Sequence, residues 1–347
     1  MYKKIFMGIA AMAALTLVSC SSDDLNSLSD NSSKNEAISF DGYLGRSAVA
    51  VNGSRGSKLD KPALQGLTEG FGVFGNYSKN SEGTIHAYGK NWFDNQKVTY
   101  SSSAWTYDPL KYWLPQGHID FLAYAPYDAK NTAITDFKSK IEFTVDKEIA
   151  KQKDLLWANA TNQTKTDKPV TFTFKHALSR LGYTVKLNNA YSDATFTLTK
   201  ITLAGSSDGT QNAFYTTGTI DLSKTSSTDL WTTSPSDAKQ KFDWFSGTQT
   251  LATTDYNNPD ANYLFVIPQK FSAPATDKLY VIVEYTINYS GGVTATMTNT
   301  VYKQLEKDFE QGKAYTINLT IGLTPIEFDV TTVEDWTDGG KEDITWK

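Results

Sequence analysis

Residues 279–289 read Leu-Tyr-Val-Ile-Val-Glu-Tyr-Thr-Ile-Asn-Tyr, and this stretch decides the fold. Every second residue from Leu279 to Tyr289 is apolar or aromatic, and Gly291-Gly292 follow almost at once. Successive side chains of a β-strand point to opposite faces, so a period of two is typical of a strand with one face in a core. The glycine pair predicts a turn. The stretch therefore predicts a long, half-buried β-strand.

The same alternation recurs through most of the chain. Segments rich in Val, Ile, Thr, Tyr and Phe suit a pleated, half-buried surface better than a helix. The best helical candidate is residues 304–313, and no helical stripe exceeds about three turns. About ten short strands with polar turns predict an all-β fold built from antiparallel β-sandwiches. Besides 279–289, we predict strands at residues 72–77, 119–124, 141–145, 170–174, 181–187, 196–203, 263–267 and 315–323.

The length of the chain indicates its domain organisation. Its 347 residues suggest about two domains. Residues 159–168 are rich in Thr and Lys and end at Pro169, which makes them the best linker candidate. We therefore predict an N-terminal β-sandwich domain at residues 36–168 and a C-terminal one at residues 169–347, with the boundary uncertain by about ten residues.

Composition excludes several classes of function. The net charge is −5, from 33 basic and 38 acidic residues, so the basic surface that nucleic-acid binding requires is not expected. The single Cys excludes an internal disulfide framework and a cysteine-based zinc site. Three widely spaced His residues make a His-based metal centre or catalytic triad a poor hypothesis. We therefore expect no nucleic-acid partner, no metal and no cofactor.

The first twenty residues resemble a bacterial lipoprotein signal. Lys3 and Lys4 precede an apolar run over residues 5–18, which is too short to span a bilayer. The run ends in Leu-Val-Ser-Cys at residues 17–20, so we predict a signal peptide at residues 1–19 and lipid on Cys20. Acyl chains on one residue would hold the protein at a membrane. An ordinary secretory signal with a chance Cys is the alternative.

The residues after Cys20 indicate a tether and a destination. Ser21-Ser22-Asp23-Asp24 looks like the short acidic signals that send Bacteroidales lipoproteins to the outer face of the outer membrane. Residues 25–35 are rich in Ser, Asn and Asp, which is typical of a flexible segment. We therefore predict a tether over residues 20–35 and a surface-exposed outer-membrane lipoprotein.

Motifs that could carry catalysis lack their structural context. Gly70–Gly75 matches G-x-G-x-x-G, but its glycines lie among strand residues and no helix is predicted after it. Gly205–Gly209 matches G-x-S-x-G, but no His follows Ser207 to complete a triad. His176 is interpreted as a structural residue between strands. A polar loop explains the remaining oxygen-rich group better than a calcium site: Asp255, Asn257, Asn258 and Asp260. We therefore predict no enzymatic activity.

An aromatic cluster leaves a binding function open. Trp92, Trp105 and Trp113 lie close together in the sequence, interspersed with Phe and Tyr. Aromatic faces stack on sugar rings, so these three Trp residues are candidate glycan contacts. Core filling in a β-sandwich is the other interpretation, and we favour it.

The two ends of the predicted fold carry complementary features. Ile38-Ser39-Phe40 has the pattern of a short strand, and Arg46 and Arg55 follow it among turn-forming residues. Such a segment suits cleavage by an Arg-specific protease, although two Arg in a surface loop would look the same. After Pro325, alternation resumes at Ile326, Phe328 and Val330, so residues 326–333 could pair at home or add a strand to another molecule.

The order of motifs along the chain resembles the fimbrillin-like (Mfa-like) family, the type V pilin subunits of Bacteroidales. No single motif is diagnostic. The resemblance spans nearly the whole chain and rests on Leu17–Cys20, Ile38–Phe40 followed by Arg46, Gly70–Phe74, Tyr112–Pro115, Ile119–Pro126, Lys153–Ala158, Phe174–Leu181, Ile267–Gln269, Gly312–Ile317 and Trp336.

The resemblance implies an architecture and an assembly mechanism. It implies two transthyretin-like β-sandwich domains in tandem and transport as a lipoprotein to the cell surface. In polymerising members it implies cleavage after an Arg near the first strand, which opens a groove for the C-terminal strand of a neighbouring subunit. Carried over here, Arg46 is the first choice for the cut and Arg55 the second. Ile38 and Phe40 belong to the displaced strand, and Ile326, Phe328 and Val330 to the donor strand.

The sequence therefore predicts a non-enzymatic fimbrial subunit that serves adhesion. Its expected partners are other fimbrial subunits, the membrane through lipid on Cys20, and a glycan or protein on a host or bacterial surface. The alternative is a monomeric outer-surface lipoprotein that binds glycans through Trp92, Trp105 and Trp113.

Overall fold

Alternating apolar residues form strands along the whole described chain. The computed structural model describes residues 37–44, 61–78, 91–131, 139–166, 168–225, 230–259, 262–290, 295–323 and 327–333. The strands are β1 (Phe40–Leu44), β2 (Phe71–Ser78), β3 (Asn91–Ser101), β4 (Ala104–Thr106), β5 (His118–Ala125), β6 (Lys140–Thr144), β7 (Leu156–Gln163), β8 (Val170–His176), β9 (Ser179–Leu187), β10 (Ala194–Ala204), β11 (Phe214–Tyr215), β12 (Thr217–Asp221), β13 (Trp231–Thr232), β14 (Lys239–Gln240), β15 (Phe242–Thr250), β16 (Tyr256–Asn257), β17 (Leu264–Val266), β18 (Tyr280–Tyr289), β19 (Ala295–Gln304), β20 (Ala314–Ile321) and β21 (Glu327–Val333).

Helical structure in the described residues is confined to short segments. They are one helix, α1 (Lys61–Gly66), two single 3₁₀ turns, Ala129–Asn131 and Ile149–Lys151, and a 3₁₀ conformation at Asn262. The sequence analysis missed α1, which buries Leu64 completely. The best helical candidate, residues 304–313, does not form a helix, because Gln304 ends β19 and Phe309 pairs with Gln269 in an isolated β-bridge. The all-β prediction is confirmed.

A seven-stranded sheet runs in the order β1-β8-β7-β5-β2-β3-β4. Its central strand β5 reads His-Ile-Asp-Phe-Leu-Ala-Tyr-Ala and is buried on both faces. Phe121 and Ala123 contribute to one apolar cluster, and Leu122 and Tyr124 contribute to another. Because successive strand residues point to opposite faces, a sheet covered on both sides requires such a continuous apolar run. β1 and β4 are the terminal strands of this sheet.

The remaining strands form smaller sheets. Four strands pair in the order β15-β10-β18-β19, five contribute to β16-β9-β20-β21 with β17 beside β9, and shorter ribbons are β13-β12-β6 and β11-β14. Two neighbouring pairs are parallel, β1 with β8 and β9 with β20. The predicted antiparallel pairing is therefore wrong for these two pairs, each of which joins strands far apart in the sequence.

Contacts join residues 36–347 into one compact unit that contains the two apolar clusters. β8 follows the predicted boundary at residue 168 but pairs with β1 and β7. β6 precedes that boundary but pairs with β12. Sheet pairing therefore does not change at residue 168, and the division into domains at 36–168 and 169–347 stays a prediction.

The glycine-rich segment Gly70–Gly75 packs as a strand against its neighbours. Gly70 has φ +69°, and a Cβ atom on it would lie 2.0 Å from the Val98 carbonyl oxygen. Gly72 approaches the Tyr124 ring in the same way. No helix follows, because the segment continues to Ser78 as β2. The glycines therefore allow close approach within a sheet, as expected from the sequence, and a dinucleotide fingerprint is not formed.

Replacing Gly70 with Ala should destabilise the protein. A positive φ in a non-glycine residue costs about 1–3 kcal/mol, and the steric conflict with Val98 adds to this. Gly66→Ala is the matched control, because a Cβ atom there meets nothing within 4 Å. Urea denaturation should show a lower midpoint for Gly70→Ala alone. Equal midpoints for the two variants would contradict this account of Gly70.

Candidate functional site: an edge strand over an aromatic pocket

Residues 37–44 form the edge of the seven-stranded sheet, and we call them the N-terminal edge strand. β1 pairs in parallel with β8, in a register that places Phe40 opposite Val170 and Leu44 opposite Phe174. The Val170 backbone N–H donates to the Ser39 carbonyl oxygen at 2.8 Å. On the other side, the Ile38 N–H donates to the Lys111 carbonyl oxygen at 2.8 Å. Backbone hydrogen bonds on both sides therefore hold the start of this strand.

The inward side chains of the N-terminal edge strand are part of the core. Ile38 is 1% exposed and Phe40 is 4% exposed. The Phe40 ring lies 5.4–5.7 Å, centroid to centroid, from four other rings. These rings, which we call the Phe40 pocket, belong to Phe93, Tyr107, Phe121 and Phe172. Aromatic pairs at such distances contribute about 0.5–1.5 kcal/mol each beyond the burial of apolar area. The strand therefore fills a pocket as well as extending a sheet.

A buried hydroxyl also holds the strand in place. The Tyr107 hydroxyl donates to the Ile38 carbonyl oxygen at 2.6 Å, and burial raises the pKa of that hydroxyl. The group therefore keeps the proton that it donates. The Lys111 ammonium donates to the Trp92 carbonyl oxygen and lies 5.0 Å from the centroid of the Phe93 ring. Burial lowers the pKa of Lys111. The sequence analysis missed Tyr107 and Lys111, because no local pattern marks a contact with a strand so distant in the chain.

The outward positions of the strand are polar or exposed. Ser39 and Asp41 are exposed, and Tyr43 is 40% exposed. Gly42 is buried, and a Cβ atom there would lie 3.1 Å from the Phe174 ring. Residues 38–43 thus alternate between core and solvent, as the sequence pattern of Ile38-Ser39-Phe40 predicts, although the strand itself begins at Phe40.

The candidate cleavage positions follow this strand directly. β1 ends at Leu44, two residues before Arg46. Arg46 and Arg55 both lie outside the described residues, so cleavage at either stays a prediction. Because the strand is terminal in its sheet, a cut after Arg46 would leave it held to the subunit by non-covalent contacts alone.

The C-terminal edge strand, β21, pairs with another strand of the same chain. It is the terminal strand of the five-stranded sheet and runs antiparallel to β20, with Phe328 opposite Leu319 and Val330 opposite Ile317. Val330 is 4% exposed, whereas Ile326 lies outside the described residues. Of the two alternatives that the sequence left open, the structure displays pairing within the same chain. Transfer of this strand to another molecule stays a prediction.

The aromatic candidates for glycan binding are mostly inside the protein. Trp113 is 4% exposed and Trp105 is 9% exposed. The Trp105 ring packs edge-on against Phe71 at 4.8 Å. The prediction that Trp105 and Trp113 contact a glycan is therefore wrong, because their faces are covered by other rings. Trp92 is half-buried against the same cluster. Core filling, the interpretation that the sequence favoured, accounts for these side chains.

His176 has a structural partner that the sequence did not reveal. It ends β8, and its Nδ1 lies 2.7 Å from the Asp154 carboxylate. The two side chains are 5% and 0% exposed. Asp154 precedes β7, so the pair ties the starting point of one strand to the end of the next. This agrees with the interpretation of His176 as a residue between strands.

The remaining sequence candidates lie in turns. Ser207 belongs to a turn after β10, where hydrogen bonds from Ser206 and Thr210 lower the pKa of Asp208 to about 2. β11 follows this turn, so the strand-to-helix elbow of a serine hydrolase is not formed here. Asn258 accepts a hydrogen bond from the Tyr183 backbone N–H and is buried, and Asp260 lies outside the described residues.

The predicted signal peptide, Cys20 and the tether at residues 20–35 lie outside the described residues. No helix within the described part of the chain has the length and apolar character needed to cross a bilayer.

The all-β fold of this chain resembles the folds of solved proteins. A fimbrial protein of Bacteroides vulgatus shares the fold, with a TM-score of 0.63, 22% identity, and coverage of 87% of this chain and 99% of that chain. The fimbrium subunit Fim1C of Phocaeicola vulgatus is 25% identical over 387 residues, which covers 97% of each protein.

The family model described as fimbrillin-like matches residues 64–336. The chain belongs to the fimbrillin-like family, whose members are fimbrial subunits and cell adhesion proteins. The resemblance inferred from the order of motifs is confirmed.

Proposed function

We propose that this protein is a structural subunit of a surface fimbria that joins its neighbours by strand exchange. In this proposal, cleavage after Arg46 releases the N-terminal edge strand, and the C-terminal strand of a neighbouring subunit replaces it. One observation carries the proposal: a strand that fills the Phe40 pocket is terminal in its sheet and ends two residues before an Arg. The nearby Arg offers a position at which the strand can be cut from the subunit, and the Phe40 pocket that the strand fills would then need another strand to cover it.

Loss of the N-terminal edge strand would leave a surface that water covers poorly. Full burial of a large apolar side chain contributes about 1.5–3 kcal/mol, so uncovering the sites of Ile38 and Phe40 is unfavourable. The edge of β8 would also lose its backbone partner. Strand addition restores both, because main-chain hydrogen bonds supply affinity and pockets for alternate side chains supply specificity. An incoming strand therefore needs large apolar residues two positions apart.

The C-terminal edge strand meets that requirement. Phe328 and Val330 lie at alternate positions of this strand, and in the sequence Ile326 continues the same alternation just before it. As the terminal strand of its own sheet, it can leave β20 without breaking the order of the strands behind it. The hydrogen bonds and buried area that it loses at home are replaced by those that it gains in the groove of a neighbour. The contacts that the donor strand loses and gains therefore offset each other, and covering the exposed groove supplies the net driving force for exchange.

The same proposal includes how the subunit reaches the cell surface. A signal peptide at residues 1–19 and lipid on Cys20 would deliver it to the outer membrane, and cleavage after Arg46 would free it from that anchor. We further propose two transthyretin-like domains in tandem as its building plan. Its partners are then other fimbrial subunits, and the assembled fibre serves adhesion.

Arg46→Ala/Arg55→Ala is expected to block assembly, whereas Arg55→Ala alone should leave it intact. Treatment of the unchanged chain with an Arg-specific protease should give a new N-terminus at Ser47 and ladders of polymers that resist SDS. Without either Arg the edge strand stays covalently attached to the rest of the subunit and keeps the Phe40 pocket filled, so the ladders should be lost. N-terminal sequencing and gel electrophoresis check both results.

Two outcomes would contradict the proposal. One is a chain cut after Arg46, with the released strand removed by dilution, that stays monomeric at high concentration. The other is an Arg46→Ala/Arg55→Ala chain that forms ladders as readily as the unchanged protein, because assembly would then not depend on release of the strand. If Arg55→Ala blocks the ladders instead, the position of the cut is wrong.

A further inference from the structure

A cavity of about 580 Å³ lies in the C-terminal half of the chain, and we call it the Trp231 cavity. It shares no residue with the Phe40 pocket. Its walls come from β11, β13, the residues that follow β17, and residues 308–311 before β20. A β-bridge joins Gln269 to Phe309 through backbone hydrogen bonds of 3.0 and 2.9 Å, so two of these walls are fixed to each other. Small-molecule sites are typically cavities of about 300–1,000 Å³ with apolar walls and a few fixed polar groups.

An aromatic ring forms one wall of the Trp231 cavity. The Trp231 side chain is half-buried, and its indole N–H donates to the Ala177 carbonyl oxygen at 2.7 Å. A Cβ atom on Gly218 would lie 3.0 Å from the Trp231 ring, so glycine at this position lets the backbone of β12 pack directly against the ring. These contacts fix the orientation of the ring and leave part of its surface in the cavity wall. A rigid aromatic face supplies a large contact area at a low cost in conformational entropy.

A fixed carboxylate lies in another wall. Asp308 Oδ1 accepts hydrogen bonds from the backbone N–H groups of Phe271 and Ser272 and from the Ser272 hydroxyl, at 2.7–2.9 Å. Burial raises the pKa of Asp308, but these hydrogen bonds outweigh burial and the net pKa is lowered, so the group is ionised at neutral pH. Asp308 Oδ2 has no hydrogen bond to any described residue. It is therefore a fixed acceptor that a ligand hydroxyl can use.

The charges around the Trp231 cavity are nearly balanced. Each of its three carboxylates has an ammonium group nearby: Lys239 at 2.6 Å from Asp277, Lys313 at 3.0 Å from Glu310, and Lys270 beside Asp308. A strongly charged ligand would therefore meet no excess of opposite charge. A neutral ligand with an apolar face and several hydroxyl groups matches the aromatic wall and the fixed acceptor better.

We propose that the Trp231 cavity binds a neutral pyranose ring of a surface glycan. This inference goes beyond the assembly proposed above and does not depend on it. The C–H face of the sugar packs on Trp231, and a sugar hydroxyl donates to Asp308 Oδ2. A hydrogen bond to a charged acceptor is stronger than one between neutral groups. Because both side chains are held in place before the ligand arrives, little of the binding free energy is lost to ordering them.

Saturation-transfer NMR on the purified, uncut chain tests this site. The probes are the methyl glycosides of glucose, galactose, mannose, fucose and N-acetylglucosamine, with the methyl glycoside of sialic acid as an anionic comparison. We expect at least one neutral glycoside to receive saturation, most strongly at the C–H protons of one ring face. The sialic acid glycoside should receive none, because its carboxylate would be repelled by Asp308. Titration of the glycoside that binds gives its Kd.

Two variants locate the binding site. Trp231→Ala should weaken binding about tenfold or more, because it removes the apolar surface on which the sugar packs. Asp308→Asn keeps an oxygen for the hydrogen bonds from Phe271 and Ser272 but removes the charged acceptor, so binding should also weaken about tenfold or more. Tyr302→Ala is the matched control, since that ring is 59% exposed and lies on β19, outside the cavity. Its Kd should equal that of the unchanged chain.

The proposal requires both variants to lose affinity. A Trp231→Ala or Asp308→Asn chain that is folded by circular dichroism and binds as tightly as the unchanged chain would place the ligand elsewhere and overturn it. If Trp231→Ala does not fold, Asp308→Asn decides alone. Saturation of the sialic acid glycoside only, or of no glycoside, would also overturn it. Because every measurement uses the uncut chain, these failures would leave strand exchange standing, whereas cut chains that form no ladders would leave this site standing.

Discussion

Replacing Phe40 with Ala in the intact chain is expected to lower the free energy of unfolding by about 3–5 kcal/mol. The ring is 4% exposed and packs 5.4–5.7 Å from the rings of the Phe40 pocket, so its removal leaves a cavity that rigid neighbours cannot refill. The backbone pairing with β8 is unaffected by the change. Urea denaturation of the purified, uncut protein, extrapolated linearly to water, measures the difference.

Tyr43→Ala is the matched control, because Tyr43 lies on the same strand but is 40% exposed. Its expected effect is within about 0.5 kcal/mol. Cutting after Arg46 gives a second test, since the released strand carries residue 40 with it. The Phe40→Ala strand should leave its groove sooner, so ladders should form faster, yet the final subunits are chemically identical. A loss below about 1 kcal/mol would show that the Phe40 pocket does not hold the strand.

The sequence predicted strands well because alternation is a local signal. Residues 170–174, predicted from alternate apolar residues, lie in β8, and β20 contains residues 315–321 of the strand predicted at 315–323. Alternation specifies which residues share a face, but it does not specify which strand lies alongside. For that reason the parallel pairs of β1 with β8 and β9 with β20 could not be foreseen from a local pattern.

The helical candidate at residues 304–313 shows how the spacing of apolar residues can resemble that of a helix. Leu305 and Phe309 are four residues apart, as on one face of a helix, and both are buried. Here an irregular segment brings them into the core, with Phe309 held by backbone hydrogen bonds to Gln269. Most other positions of residues 304–313 are polar or charged, so the segment has the sequence pattern of an amphipathic helix. Only the packing of distant strands distinguishes the two cases.

Part of the candidate site could be predicted from the sequence. Ile38-Ser39-Phe40 was recognisable as a strand, but the rings around Phe40 come from four separate segments. The exposure of Trp105 and Trp113 could not be predicted either, since an aromatic cluster has the same composition in a core and on a binding surface. Contacts between distant segments decide both questions, and composition does not encode them.

Replacing His176 with Ala should destabilise the protein by about 1–3 kcal/mol, for a reason different from that at Phe40. The change removes the imidazole whose Nδ1 lies 2.7 Å from the Asp154 carboxyl group, and the Asp154 side chain is 0% exposed. Removing one member of a buried hydrogen-bonded pair is unfavourable, because the remaining polar group has lost its contact with water without keeping that hydrogen bond. Urea denaturation should again measure the effect. Lys186→Ala is the control, because its ion pair with Asp255 is about half exposed and should contribute less than about 1 kcal/mol.

The double variant His176→Ala/Asp154→Ala separates loss of the pair from loss of packing. If the two groups act together, the double variant should be less destabilised than the sum of the single variants. Additive effects would contradict a direct interaction. His176 is also the last residue of β8, where it pairs with Leu156 of β7, and β8 is the strand that pairs with β1. Its loss should therefore weaken intact and cut subunits alike, whereas the effect of Phe40→Ala should vanish once the N-terminal edge strand has gone.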